Sequence, residues 1–271
     1  MSRAARVMVI GAHPDDGDFR AGGCAALWTA AGMAVRFVSV TNGDAGHHEL
    51  GGGPLALRRA AEAAAAGARA GIDYQVLDLH DGELVPSLDN RKRLIAEIRA
   101  FEPDLLLTHR PNDYHADHRY TSQLVQDASF LLTVPNICPH APALRDVPVI
   151  AYLEDGFQKP APFVPDVVVD ISAVMATKIA MMACHESQVY EWLPWLDGRS
   201  VPEGDEARLA WLGEWISSRG RHSADRFRAA LVAAYGAERG GAAAAAEAFE
   251  LCEYGAALNP ERRRRLFPML P

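Results

Sequence analysis

The sequence predicts an α/β protein: a mostly parallel, Rossmann-like sheet flanked by helices, with helical additions toward the C-terminus. Three observations carry this reading. Apolar runs of strand length recur through the first two thirds of the 271 residues. Longer stretches with helical composition or spacing separate them. Strand, helix and strand in that rhythm require crossover connections, which leave successive strands parallel and both faces of the sheet covered.

The first run, ARVMVIGA (5–12), is a buried strand by its continuous apolar character. AGGCAALWTAAG follows as a helix ending at Gly32, the residue best suited to a helix C-cap. AVRFVSVT (34–41) is the second strand. LALRRAAEAAAAGARAG is helical because alanine loses no side-chain entropy there. DYQVLDL (73–79) is the third strand. SLDNRKRLIAEIRAF has a Ser or Asp start and apolar spacing near 3.6. DLLLTH (104–109), VPVIAYL (147–153) and PDVVVDI (165–171) complete the strands. No internal repeat is present. We read residues 1–271 as one domain, with an α/β core over about 5–185 and helical additions over about 186–271.

Composition restricts the partners. A chain that is 49% hydrophobic and 23% charged can bury one large core without cross-links. A formal charge of −8 with no basic stripe argues against nucleic acid and anionic membrane as partners. The one basic run, Arg262 to Arg265, reads as a solvated helix face. Cys24, Cys138, Cys184 and Cys252 form no C-x-x-C pair, so neither a disulfide framework nor a thiolate zinc site is expected. No window approaches the roughly 18 to 20 apolar residues of a membrane span. The apolar run near the N-terminus is short and ends directly in HPDD, unlike a signal peptide. A cytoplasmic location is expected.

The stretch VMVIGAHPDDGDFRAGG (7–23) concentrates the chemistry. Adjacent carboxylates repel, and near a partly buried site each needs a cation, a donor or a proton. As a turn, HPDD would use Pro14 to fix φ and the Asp pair to cap the next helix. A second polar cluster, HRPNDYHADHR, follows the strand DLLLTH. In an open parallel sheet ligands bind beyond the carboxyl ends of strands, where the strand order reverses. Both clusters leave strands at that edge, which favours a site over a turn. A catalytic zinc commonly takes three His or carboxylate ligands and keeps one position for water. His13, one of the two aspartates and one histidine from 115 to 118 would supply them, leaving the other aspartate as a base.

AHPDDGD followed by GG, then NDYHADHR, then DISAVMATKIAMMACHESQ, resembles the PIG-L/LmbE-like family of zinc-dependent N-deacetylases. The resemblance covers about residues 5–190, with a weaker echo at AEAFEL (246–251). It implies an enzyme that hydrolyses the N-acetyl group of an amino sugar or sugar conjugate. It also implies that His13, Asp16 and His118 bind Zn2+, that Asp15 is the general base and that His115 assists at the transition state. Asp117 would orient His115 and keep it charged as an imidazolium. The same ligands accept iron, cobalt or nickel. The family pattern AHPDD-x-E has Glu where this chain has Asp18, one methylene shorter, in a position that supports the loop. The leaving nitrogen would take its proton from Asp15 or from His115.

Arg59 and Asp81 stand where the resemblance places contacts to sugar hydroxyls, and Tyr114 is placed by sequence to close over a substrate. Asp44 in TNGDAG reads equally well as a turn residue. His47 and His48 lie in a Gly-rich loop and read as surface residues ahead of a lid. His185 reads as packing. Tyr190, Trp192, Trp195, Trp211 and Trp215 read as a helical subcore or a homo-oligomer contact ahead of a sugar platform. Two alternatives stay open: an amidase acting on a thiol-sugar conjugate or N-acyl natural product, and a sugar-binding module without catalysis. A nucleotide-binding module is disfavoured, because VMVIGAHPDD lacks the G-x-G-x-x-G turn and presents acids where phosphate needs donors.

Overall fold

The apolar runs become strands and the intervening stretches become helices, in a computed structural model that describes residues 3–271. In chain order these are β1 (Arg6–Gly11), α1 (Asp16–Ala30), β2 (Ala34–Ser39), α2 (Gly52–Ala70), β3 (Asp73–Val76), α3 (Leu88–Phe101), β4 (Leu105–Thr108), α4 (Ala116–Ser129), β5 (Val149–Leu153), β6 (Val167–Asp170) and α5 (Met175–Met182). A π-helical turn, Ser187–Trp192, runs into α6 (Leu193–Leu196), followed by α7 (Asp205–Arg226), α8 (Arg228–Tyr235), α9 (Ala237–Ala242), β7 (Ala246–Leu251) and α10 (Pro260–Leu266). Ser87 caps α3 by accepting from Asn90 N, and Gly71 closes α2 in the left-handed region, which a Cβ disfavours. No helix among the described residues is long and apolar enough to cross a membrane.

The strand order is β3-β2-β1-β4-β5-β7-β6. From β3 through β5 every neighbouring pair is parallel. The chain winds from β1 outward to β2 and β3, then returns to place β4 on the other side of β1. The order therefore reverses between β1 and β4, and the loops leaving these two strands diverge around a crevice. β1 is buried on both faces, Val7 and Val9 packing with Trp28 and Phe37 on one side, Met8 and Ile10 with Ile95 and Leu106 on the other.

The C-terminal stretch departs from expectation in one respect: besides helices it returns β7 into the sheet, antiparallel to both β5 and β6. Two glutamates in AEAFEL, after a run of alanines, disguise it as helix. Its Glu247 is buried because its charge is fully engaged. The carboxylate accepts from Gly23 N (2.9 Å) and Cys24 N (2.7 Å) on α1 and lies 2.6 Å from Lys178 Nζ on α5. Lys178 also donates to Phe19 O at 2.9 Å. β7 and α5 thus grip the helix that begins at the HPDD loop. Four cysteines are free.

Removing one partner of a buried ion pair leaves an uncompensated charge. Lys178→Met is expected to lower the unfolding free energy by about 3 kcal/mol in urea denaturation, and adding Glu247→Gln should recover part of the loss. Equal stability of Lys178→Met and the parent would show that the pair does not anchor α1.

Candidate active site

β1 ends at Gly11, and the chain turns at once into His13, Pro14, Asp15 and Asp16. Asp16 closes this turn: its Oδ2 accepts from Ala12 N (2.9 Å) and His13 N (2.8 Å). Gly11 is needed for the closure, since a Cβ there would stand 2.7 Å from the Cβ of Asp16. Asp15 precedes α1 but makes no capping bond with its side chain; the carboxylate faces the crevice. On the neighbouring strand, β4 runs out into His109 and the loop to α4. His115 occupies the N-cap of α4 and its Nδ1 accepts from Asp117 N at 3.2 Å. That cap sets His118 in the first turn, pointing back at the HPDD loop.

His13, Asp16 and His118 come together. His13 Nδ1 is 3.2 Å from His118 Nε2 and 3.6 Å from Asp16 Oδ2, while His118 Nε2 is 3.5 Å from Asp16 Oδ1. Each imidazole turns its other nitrogen toward a carboxylate. His13 Nε2 is 3.0 Å from Asp81 Oδ1 and 3.4 Å from Asp117 Oδ2, and His118 Nδ1 is 3.1 Å from Asp113 Oδ2. The separations are those of hydrogen bonds, but the angles leave both nitrogens without an aligned acceptor. One nitrogen of His115 lies within 4.8 Å of nitrogens of both His13 and His118.

Charge follows geometry. Burial pushes the Asp16 carboxyl up, but His118 and His109 outweigh it and hold it well below the usual carboxylate range. Burial acts on Asp15 with less opposition: it raises the pKa, Arg59 pulls it back and Asp16 adds to the rise. Burial also lowers His13, yet Asp117, Asp16 and Asp81 more than offset this and leave it well above an ordinary histidine.

Several residues fall where the sequence puts them and some take other partners. Arg59 is buried, with Nη2 3.3 Å from Asp15 Oδ1 and Nη1 donating to Gly43 O at 3.2 Å. Asp81 faces His13, as above. Both line the cavity, but both are already engaged with the residues that form its floor. Tyr114 stands exposed at the rim, edge-on to His115 and His118. Asp117 does not orient the ring of His115 through its carboxylate. That group is fully buried and accepts from Gly82 N (2.7 Å) and Leu84 N (3.3 Å) beside His13. His115 correspondingly titrates below an ordinary histidine, lowered by burial and by His13 and His118. Nδ1 of His115 accepts the Asp117 N–H, which leaves Nε2 as the nitrogen that carries the proton in the neutral form of the ring.

Other residues were legible only as parts of motifs. His109 stacks on His118 with centroids 4.1 Å apart and places Nε2 3.1 Å from Asp16 Oδ2. Asp18 and His185 are both fully buried, 3.2 Å apart, and Tyr74 donates to Asp18 at 2.9 Å, so the shorter carboxylate still finds partners behind Asp15. Asp44 holds Asp81 N and His80 Nδ1. The loop with His47 and His48 is tied to the π-helical turn: His47 Nε2 is 2.9 Å from Glu191, and His48 stacks on Trp195 at 4.9 Å. Tyr190, Trp211 and Trp215 surround a small helical core, while Trp192 and Trp215 also reach the cavity.

The cavity measures about 610 Å³, with the imidazoles and carboxylates at one end and residues of α6 and α7 at the other. Fold and cavity together define an α/β enzyme with an imidazole–carboxylate site at a switch point of a parallel sheet. The chain belongs to the PIG-L family: the family described as "PIG-L: GlcNAc-PI de-N-acetylase" matches residues 8–129. Diacetylchitobiose deacetylase of Thermococcus kodakarensis is 31% identical over 206 residues, covering 70% of this chain and 74% of that protein. 4-Oxalmesaconate hydratase of Pseudomonas putida is 28% identical over 193 residues, covering 68% and 74%. The fold is shared with N,N'-diacetylchitobiose deacetylase of Pyrococcus horikoshii, at TM-score 0.70, 22% identity and coverage of 93% and 85%.

Removing the Asp117 carboxylate leaves two backbone donors at 82 and 84 without an acceptor. Asp117→Ala is therefore expected to cost about 1–3 kcal/mol of stability in urea denaturation. The tautomer of His115 should persist, because the group donating to it is the main chain; its imidazole nitrogen chemical shifts report this.

Proposed function

We propose that the protein is a metal-dependent N-deacetylase that removes an acetyl group from an amino sugar or sugar conjugate. The observation that carries the reading is the triangle of His13 Nδ1, His118 Nε2 and Asp16. Its edges of 3.2 to 3.6 Å match the roughly 3.3–3.4 Å between ligand atoms of a tetrahedral ion bound at about 2.0–2.1 Å. Two imidazole nitrogens facing each other at that distance need a proton or a cation between them. The carboxylates behind both rings are the usual supports of metal-binding histidines. The nitrogen and oxygen donors suit Zn2+, though iron, cobalt or nickel fit the same set.

A divalent ion held there would polarise the acyl oxygen and lower the pKa of a water to roughly 7. Asp15, adjacent but outside the triangle, takes the proton as the water oxygen attacks the acyl carbon. Arg59 lies against Asp15 and opposes the rise that burial gives its pKa. His115, neutral with its proton on Nε2, donates to the oxyanion of the tetrahedral intermediate. When the C–N bond breaks, the amine takes a proton from Asp15, which returns the base to its starting state and releases acetate. Asp113, Asp81 and Asp117 hold the imidazoles in place.

The deacetylase relative supports the amide reaction, and the hydratase relative makes addition of water to a carbon–carbon double bond the second reading. Incubating the zinc-loaded protein with N-acetylated sugars and assaying acetate and free amine decides between them. Hydration of an unsaturated acid without acetate release from any amide would overturn the deacetylase reading.

Asp15→Asn is expected to retain zinc by metal analysis while deacetylation falls 10²-fold or more. His118→Ala should lose both metal and activity. Loss of metal from Asp15→Asn but not from Asp16→Asn would reverse the two aspartates. His115→Ala should keep the metal and lower kcat by about 10²-fold with little change in KM. His115→Gln, which keeps a neutral donor, should restore part of the rate; equal loss in both variants would exclude simple donation.

A further inference from the structure

The two oxygens of Asp16 have different surroundings. Oδ2 accepts from Ala12 N (2.9 Å) and His13 N (2.8 Å), and the ring of His109 brings Nε2 to 3.1 Å from the same atom. Oδ1 accepts no hydrogen bond among the described residues and faces His118 Nε2 at 3.5 Å. Two of the groups around Oδ2 belong to the main chain leaving β1. The third comes from β4, where Thr108 is paired in register with Ile10 and His109 is the next residue, buried. Both strand ends thus converge on one oxygen.

The neighbours decide where the proton of His109 sits. Ala12 N also stands 3.1 Å from Nε2. An unprotonated Nε2 would compete with Oδ2 for that N–H and would set its lone pair against a carboxylate oxygen, acceptor against acceptor. A proton on Nε2 turns this repulsion into a charge-assisted hydrogen bond. Asp16, His109 and His118 also offer ligand atoms within 4.8 Å of one another, as a second metal centre would. The rings exclude that role for His109. They stack with centroids 4.1 Å apart and planes 7° from parallel. An imidazole binds an ion in its own ring plane at about 2.0–2.1 Å, so an ion in the plane of His118 lies well outside the plane of His109.

Resting on the metal-dependent reading above, we infer that His109 is a positioning residue: it engages Asp16 Oδ2 so that Oδ1 alone is left for the ion. A carboxylate with both oxygens free can bind through two atoms and fill the position that a catalytic centre keeps open. His109 lies outside HPDD and HADH, yet it sets how the aspartate of one motif meets the ion shared with the other.

Two variants separate the donor from the ring. His109→Phe keeps a ring to stack on His118 and loses the N–H; His109→Gln loses the ring and keeps an N–H donor. In competition with a chromophoric chelator, His109→Phe should bind zinc about 10- to 100-fold more weakly than the parent, and His109→Gln should recover most of the loss. In the cobalt-loaded proteins the visible absorption of His109→Phe should weaken as a second carboxylate oxygen raises the coordination number, while that of His109→Gln stays near the parent's. A purely structural role would move thermal unfolding and leave the cobalt spectrum alone. Equal affinity and spectrum in His109→Phe and the parent, or equal loss in both variants, would overturn the inference. The metal-free parent supplies a test that needs no variant: the imidazole nitrogen chemical shifts of His109 should show Nε2 protonated and Nδ1 bare, and a proton on Nδ1 overturns the assignment. None of these measurements uses a substrate, so a failure to release acetate leaves the inference standing. A parent that takes up no divalent ion overturns both readings together.

Discussion

Everything at the site depends on one carboxylate being held still. Asp16 closes the turn after β1 with two backbone N–H bonds and presents the same group to His13, His109 and His118. A carboxylate that accepts backbone bonds and faces imidazoles stays ionised despite burial, and its low pKa follows from those neighbours. The turn and the site are therefore one structure. The close approach at Gly11, the parallel register of β1 with β4, and the cap that starts α4 all serve to bring His118 to that carboxylate.

Around this centre the charges alternate outward in a way that separates the two aspartates of the motif. Asp16 faces imidazoles and is stabilised as an anion, whereas Asp15 faces Arg59, burial and its own neighbour, and is pushed upward. Two identical side chains, adjacent in sequence, are thus given opposite tendencies by their surroundings. That divergence is the physical basis for assigning one to binding and the other to proton transfer.

Much of this was legible in the sequence, for reasons specific to each part. β1, β2 and β4 announce themselves as continuous apolar runs because a central parallel strand is buried on both faces. HPDD and HADH could be placed at one sheet edge because parallel topology dictates where strand ends point. β7 was not legible as a strand: the alternation of Glu and apolar residues in AEAFEL makes sense only once Lys178, 69 residues away, is known to neutralise Glu247. The partners of the Asp117 carboxylate were hidden for a similar reason. Its neighbour in sequence, His115, is bonded through the main chain, while its carboxylate serves Gly82 and Leu84, which no local pattern reveals. His109 and Asp113 lay in view inside the second motif, but only the stacking on His118 and the 3.1 Å approach to its Nδ1 give them functions.

The chain also divides chemistry from selection. The groups proposed to act on the amide come from the loops after β1 and β4, where the sheet fixes their positions. The opposite wall comes from the π-helical turn, α6 and α7, segments that pack on α1 and α5 and on the loop of His47 and His48. A π-helical turn bonds residue i to i+5, one residue further than an α-helix, and is found often at functional sites; here it carries Gln188 toward Gly46 and Trp192 into the cavity. Because Glu247 and Lys178 tie α1 to β7 and α5, the C-terminal segment is bonded directly to the helix that carries Asp16, Phe19 and Arg20. Substitutions in α6 and α7 can reshape the far wall without altering the turn that Asp16 closes. A family built on this plan can keep one reactive edge while changing what it admits.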